Sequence, residues 1–104
     1  MGKPLESNFE RNLVKEIKKR FPEAIVTKLK DTQGIPDRLI LYRNKWASLE
    51  CKREEHASHR PNQDWYVDRM NNMSFSRFVF PENKDEVMRD LTAFFEDTER
   101  TEDL

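Results

Sequence analysis

Two apolar segments three residues apart constrain this chain more than any other feature. Residues 37–42 and 46–52 each have strand length, and Arg43-Asn44-Lys45 between them leaves room only for a hairpin turn. So short a connection joins antiparallel strands, because a parallel pair needs a crossover of a dozen or more residues. Leu39, Ile40, Leu41 and Leu49 mark both as core strands. Side chains alternate along a strand, so Glu50 and Lys52 share one face while Leu49 and Cys51 share the other. If the hairpin turns about Asn44, Asp37 at the head of the first strand falls near Glu50 and Lys52. Two carboxylates and a lysine then converge on strands that are otherwise apolar.

Charges in such a place are costly to bury without a purpose. One reading is a divalent-cation site with a lysine beside it. Mg²⁺ typically takes one or two protein carboxylates and fills the remainder with water and substrate phosphate. Such an ion lowers the pKa of bound water and neutralises charge developing on phosphorus. The other reading is a surface salt bridge, Glu50–Lys52 or Asp37–Lys52, worth roughly 0–1 kcal/mol. Spacing alone leaves both open, and the core character of the strands tilts the balance to the first.

The remaining elements follow from periodicity. Phe9, Leu13, Val14, Ile17 and Phe21 recur at helical spacing, with Ser7 as N-cap and Pro22 at the end. A short strand over 24–29 leads into the turn-rich Lys30-Asp31-Thr32-Gln33-Gly34-Ile35-Pro36. After the hairpin a polar loop over 53–60 precedes a second helix, begun by Pro61 in its first turn. Residues 75–80 read as a fourth strand. Pro81 and Asn83 then introduce a last helix with Val87, Met88, Leu91, Phe94 and Phe95 on one stripe. The order is αβββαβα, an α/β fold, with 1–97 as a single domain and 98–104 as an acidic tail expected to stay in solvent.

Composition narrows the function. With 104 residues the core is thin, which favours a homodimer. The glycines are Gly2 and Gly34 alone, which excludes a glycine-rich phosphate loop and with it a P-loop or Rossmann nucleotide site. The sequence contains no apolar run long enough to span a bilayer, no signal-peptide pattern and no zinc-type His/Cys spacing. The single cysteine excludes an intramolecular disulfide and fits a reducing cytoplasm. Charge is unevenly spread: residues 1–60 carry 14 Lys/Arg against 9 Asp/Glu, whereas 61–104 carry 5 against 11. The basic half could face phosphates, although a solvated basic surface explains it almost as well.

Three segments together resemble a known family. Gly34-Ile35-Pro36-Asp37-Arg38-Leu39-Ile40-Leu41, then Leu49-Glu50-Cys51-Lys52-Arg53-Glu54, then Arg60-Pro61-Asn62-Gln63-Asp64-Trp65-Tyr66 resemble the virus-type replication-repair nucleases (VRR-NUC) of the PD-(D/E)xK superfamily. The resemblance covers residues 6–95. It implies a restriction-endonuclease-like core, a central mixed four-stranded sheet flanked by helices. It also implies that Asp37, Glu50 and the backbone carbonyl of Cys51 bind Mg²⁺ or Mn²⁺, with Lys52 orienting or activating the attacking water and Gln63 beside them. Helical spacing agrees on Gln63: with Tyr66, Val67 and Met70 it falls on one inward face. A plain buried amide is the alternative there.

The family usually adds an acid from the first helix, and Glu10 is the candidate, with Glu6 one turn earlier as the alternate. Glu10 lies within about 30° of the centre of the apolar face. It also completes a capping box with Ser7, so metal ligand and cap both remain open. Lys28, Lys30, Arg38, Arg53 and Arg60 are the candidate phosphate contacts. His56 and His59 belong to a polar loop and are not expected to ligate metal. Trp46, Phe75, Phe78 and Phe80 read as core or dimer-interface residues. The Cys51 thiol reads as buried and not as a nucleophile.

The implied activity is metal-dependent DNA endonuclease cleavage, structure-selective and resembling resolution of four-way (Holliday) junctions by a phage or bacterial cytoplasmic homodimer. The rival readings are a nicking or restriction-like nuclease on plain duplex, and a DNA-binding module of the same fold without catalysis. The intact Asp37, Glu50 and Lys52 set argues against the last.

Overall fold

The computed structural model describes residues 3–97, and side chains from Glu6 onward. The expected tail at 98–104 lies outside the described residues. The elements run α1 (Lys3–Arg20), β1 (Ile25–Lys28), β2 (Arg38–Tyr42), β3 (Lys45–Cys51), α2 (Gln63–Met73), β4 (Ser76–Val79) and α3 (Lys84–Phe95). This is the expected αβββαβα order. The four strands form one mixed sheet in the order β1-β2-β3-β4. The first two pairings are antiparallel and β3–β4 is parallel.

Strand alternation sorts the side chains into two layers. Ile40, Tyr42, Ala47, Leu49, Cys51 and Val79 pack with Leu13, Ile17 and Phe21 of α1 and Val87, Met88, Leu91 and Phe95 of α3. Phe21, Tyr42 and Phe95 meet with ring centroids 5.0–5.2 Å apart, closing the layer below α1. On the other face Ser48 donates to Ser76 across the parallel pair at 2.7 Å. There α2 covers β3 and β4 through Val67 and Met70, and Glu50 reaches Gln63. Lys45 secures the C-terminal end of α3 by donating to the carbonyls of Phe94 and Asp97 at 2.8 and 2.5 Å, where the helix dipole is negative.

The structure corrects three local expectations. The hairpin turn has two residues, Arg43 and Asn44, with Tyr42 paired to Lys45. Arg43 takes a left-handed φ of 58°, the kind of backbone that two-residue hairpin turns demand. The pairing therefore centres between Arg43 and Asn44, and extending the ladder one step past Arg38↔Leu49 sets Asp37 opposite Glu50. A register change of one residue exchanges the faces of a strand, so this shift puts both carboxylates on the same side. Second, α1 begins by Lys3, so Ser7 lies inside the helix and cannot be its N-cap. Third, α2 starts at Gln63 and not with Pro61 in its first turn, because Asn62 holds a left-handed φ of 74° that no helical residue can keep.

Candidate metal centre and active-site cleft

The ends of β2 and β3, the first turns of α1, the 53–60 loop and the start of α2 enclose an open cleft of about 490 Å³. Glu6, Asp37, Glu50, Lys52, Arg53, Arg60 and Gln63 are among its lining residues. The structure thus brings Asp37, Glu50, Lys52 and Gln63 to one cleft, with Glu6 and not Glu10 as the α1 acid in its lining.

Gln63 organises the buried part. Its amide nitrogen donates to Glu50 Oε2 at 2.9 Å, and its Oε1 accepts from Lys52 Nζ at 2.7 Å. The same Oε1 accepts from the Arg60 backbone N–H at 2.8 Å, which ties the loop to the first residue of α2. Lys52 Nζ also donates to the Ser58 carbonyl at 3.1 Å. Glu50 and Lys52 lie 3.9 Å apart and are 3% and 7% exposed, so the surface salt bridge is not what the sequence encodes here. Asp37 Oδ2 accepts from the Cys51 backbone N–H at 3.2 Å, pinning the carboxylate at the end of β3.

The electrostatics are first those of carboxyls taken out of water and only then of acids lying close together. Burial, and then the neighbouring Asp37, push the Glu50 carboxyl up to about 8. Lys52 opposes that rise, and Glu6 adds to it. Asp37 is also raised, chiefly by burial and, among charges, by Glu10. Glu50 Oε1 is buried with no hydrogen-bond partner among the described residues. Buried polar atoms almost always have partners. An orphaned carboxylate oxygen beside a second carboxylate, both hard oxygen donors, fits a divalent cation of the Mg²⁺ or Mn²⁺ kind.

The two helix acids are placed differently. Glu6 lines the cleft. Glu10 accepts from Arg38 Nε at 2.6 Å, both side chains being about 15% exposed. Ligand atoms of Glu10, Asp37 and the Cys51 thiol also lie within 4.8 Å of one another, on the α1 side of Asp37. Burial raises the Cys51 thiol, in keeping with a core residue.

Of the candidate phosphate contacts, Arg53 and Arg60 border the cleft. Lys28 and Lys30 line a separate hollow with Asp31 and Thr32, while Arg38 is engaged with Glu10. His59 stacks on Phe78 with centroids 4.2 Å apart and meets Asp64 Oδ1 at 2.6 Å, whereas His56 is exposed. Phe75 is buried, and Trp46 and Phe80 are half-buried.

Sequence reasoning missed the backbone partners of this site, the Ser58 carbonyl and the Arg60 N–H. It also missed why Gly34 is glycine. Gly34 has a φ of +92°, and a Cβ there would lie 2.7 Å from Asn62 Cβ and 2.8 Å from the Pro61 carbonyl oxygen. The β1–β2 loop is thus pressed against the turn that delivers Gln63. We expect Gly34→Ala to destabilise the fold by about 1–3 kcal/mol, from the strained backbone and the forced displacement. Thermal unfolding followed by circular dichroism checks this; a midpoint within a degree of wild type would refute it.

No protein-family model matches the sequence, and none of the curated proteins matches it as a relative. Among solved structures the chain is similar to one described as a VRR_NUC domain, at 23% sequence identity and a TM-score of 0.59. The likeness covers 77% of this chain and 94% of that one. What the sequence motifs implied for the architecture therefore holds: the chain has the fold of a VRR_NUC domain.

Proposed function

We infer that the protein is a metal-dependent DNA endonuclease. The observation that carries this reading is the Gln63 amide, which links the Glu50 carboxylate to the Lys52 ammonium in a cleft shared with Asp37. A structural salt bridge needs no such bridge, no second carboxylate and no orphaned Glu50 Oε1.

Asp37 and Glu50 would hold the cation, with the Cys51 carbonyl at the end of β3. Glu6 would supply a further carboxylate from the cleft side, or Glu10 from the α1 side of Asp37. When bound, the cation supplies Lewis-acid stabilisation of the phosphoryl group and lowers the pKa of the attacking water. The protein does the rest by positioning. Two of the three Lys52 donors are committed to Gln63 and Ser58, which fixes the ammonium and leaves one N–H for the attacking water or the scissile phosphate. Attack of water on phosphorus with departure of the 3′ oxygen leaves 5′-phosphate and 3′-hydroxyl ends. Arg53 and Arg60 at the rim would hold flanking phosphates.

The preferred substrate is branched DNA, above all a four-way junction, cut by a homodimer that sets two clefts against two strands. Ile25 and Leu41 support the dimer: they face each other across β1 and β2 and stay 60% and 39% exposed, a small apolar patch without a cover among the described residues. No helix of the described residues is long and apolar enough to cross a membrane.

Cleavage of a labelled four-way junction and its matched linear duplex, each in Mg²⁺ and in Mn²⁺, tests the reading. Junction cleavage above duplex cleavage is the expected result. Equal cleavage would keep the nuclease and favour the nicking or restriction-like reading. No cleavage in either metal, with junction binding retained, would reduce the protein to a binding module.

A further inference from the structure

The outer face of α1 carries a row of cations that the cleft does not use. Arg11, Lys15, Lys18 and Lys19 are exposed, and 3.6 residues per turn places them within about 100° of one another around the helix. No acid shares that face. Glu10 is turned to Arg38, and Glu16 is paired with Lys84 at 2.9 Å. Among the described residues none of the four cations forms an ion pair, and Arg11 bonds only the neutral Asn8. Arg11 and Lys15, and Lys15 and Lys19, repel each other at one-turn spacing, and no ion pair among the described residues relieves that repulsion. This row stands out on a protein whose net charge is −1.

The row is continuous with the cleft. Ser7 is part of the cleft lining, Arg11 follows one turn later, and Lys15, Lys18 and Lys19 continue along the same side. From Ser7 to Lys19 the helix rises about 18 Å, the axial length of roughly five base-pair steps.

We propose that the outer face of α1 holds the phosphate backbone of the duplex arm that leaves the cleft, as a sequence-independent contact over about half a helical turn. The proposal rests on the nuclease reading of the cleft, since that reading is what makes DNA the polyanion at its mouth. The contact sets how much duplex the protein needs for tight binding, and the cleft sets where it cuts.

The test uses the full chain with Arg11→Gln, Lys15→Gln and Lys18→Gln combined. Glutamine keeps helix propensity at exposed positions, so folding is preserved. Binding of a fluorescent 20-base-pair duplex is measured against salt concentration in EDTA, alongside the exposed α3 variant Arg89→Gln as a control for losing a surface cation elsewhere. Each phosphate contact contributes about 0.9 to the slope of log affinity against log salt. The triple variant should therefore lower that slope by roughly two to three and weaken binding at least tenfold, while Arg89→Gln leaves both unchanged. Cleavage of a duplex too short to reach Arg11 should be unaltered.

An unchanged slope and affinity would overturn the proposal, even if wild type cuts DNA as expected. A reduced slope in a protein that cuts nothing would keep the DNA face and remove the nuclease reading instead. Lost binding of poly-glutamate with DNA binding intact would assign the face to an acidic protein and overturn the proposal.

Discussion

Glu50→Gln should abolish cleavage and, at neutral pH in the absence of divalent cation, make the protein more stable. Both effects come from the same atoms. The folded carboxyl titrates near 8, against an ordinary value of 4.5. Below pH 4.5 both folded and unfolded chains carry the proton and the group is neutral in its effect. Between 4.5 and about 8 the unfolded chain sheds the proton and the folded chain keeps it, so stability falls as pH rises. Above about 8 the penalty is complete. Asp37, also raised, acts in the same direction. Each unit of pKa corresponds to about 1.4 kcal/mol. Allowing for solvent in the open cleft, glutamine should gain on the order of 2 kcal/mol at pH 7, or several degrees in Tm. Gln63 can still donate to the new side chain's oxygen, so its hydrogen bond survives.

Thermal melts in EDTA at pH 5 and at pH 7.5 measure the gain directly. It should be small at the lower pH and clear at the higher. Added Mg²⁺ or Mn²⁺ should reverse the ranking, since an ion that binds only the folded wild type stabilises it in proportion to the logarithm of its concentration over Kd. Equal melts of the two proteins at both pH values would show that Glu50 is not held against its charge. In that case the fit of this cleft to a cation loses its main support.

The legible parts of this molecule are those written in short-range chemistry. Element order and the sheet's hairpin followed from apolar periodicity, whereas Gln63 was implied by the family resemblance, with helical spacing alongside Val67 and Met70 only agreeing that it faces inward. Register did not follow, because Arg43-Asn44 closes the turn in two residues only if Arg43 accepts a left-handed φ, and arginine gives no sign of that in advance. The same holds for Asn62, whose left-handed backbone moved the start of α2 past Pro61. Ser7 misled for another reason: a serine followed three residues later by glutamate marks an N-cap only if the helix has not already begun, and here it had. For Arg38–Glu10 only the inward acid is visible; Arg38, 28 residues away, reads as a phosphate contact, because nothing local pairs two residues at that distance. Backbone partners such as the Ser58 carbonyl carry no residue-type signature at all.

Lys52→Met should reduce cleavage by about 10²–10³-fold, the usual loss when one preorganised charged donor leaves an active site. DNA affinity should change less than threefold, because the ammonium is largely buried and two of its three donors are held by Gln63 and Ser58, leaving one that faces the reacting groups alone. Methionine keeps the aliphatic stem, so packing beneath the cleft is retained. What it removes is the one cation that opposes the upward shift of Glu50, a charge that also lowers Asp37. The residual activity of Lys52→Met should therefore need a higher pH than wild type to reach its plateau. That shift separates a lysine acting on the carboxylates from one that only supports the fold. Arginine is not a conservative replacement, since its planar fork cannot reproduce a point donor held between the Gln63 amide oxygen and the Ser58 carbonyl. Rates across pH 6–9 for wild type, Lys52→Met and Lys52→Arg, with DNA binding measured in parallel, settle the role. If Lys52→Met cuts within threefold of wild type, Lys52 is a structural cation, and the catalytic case rests on the carboxylates alone.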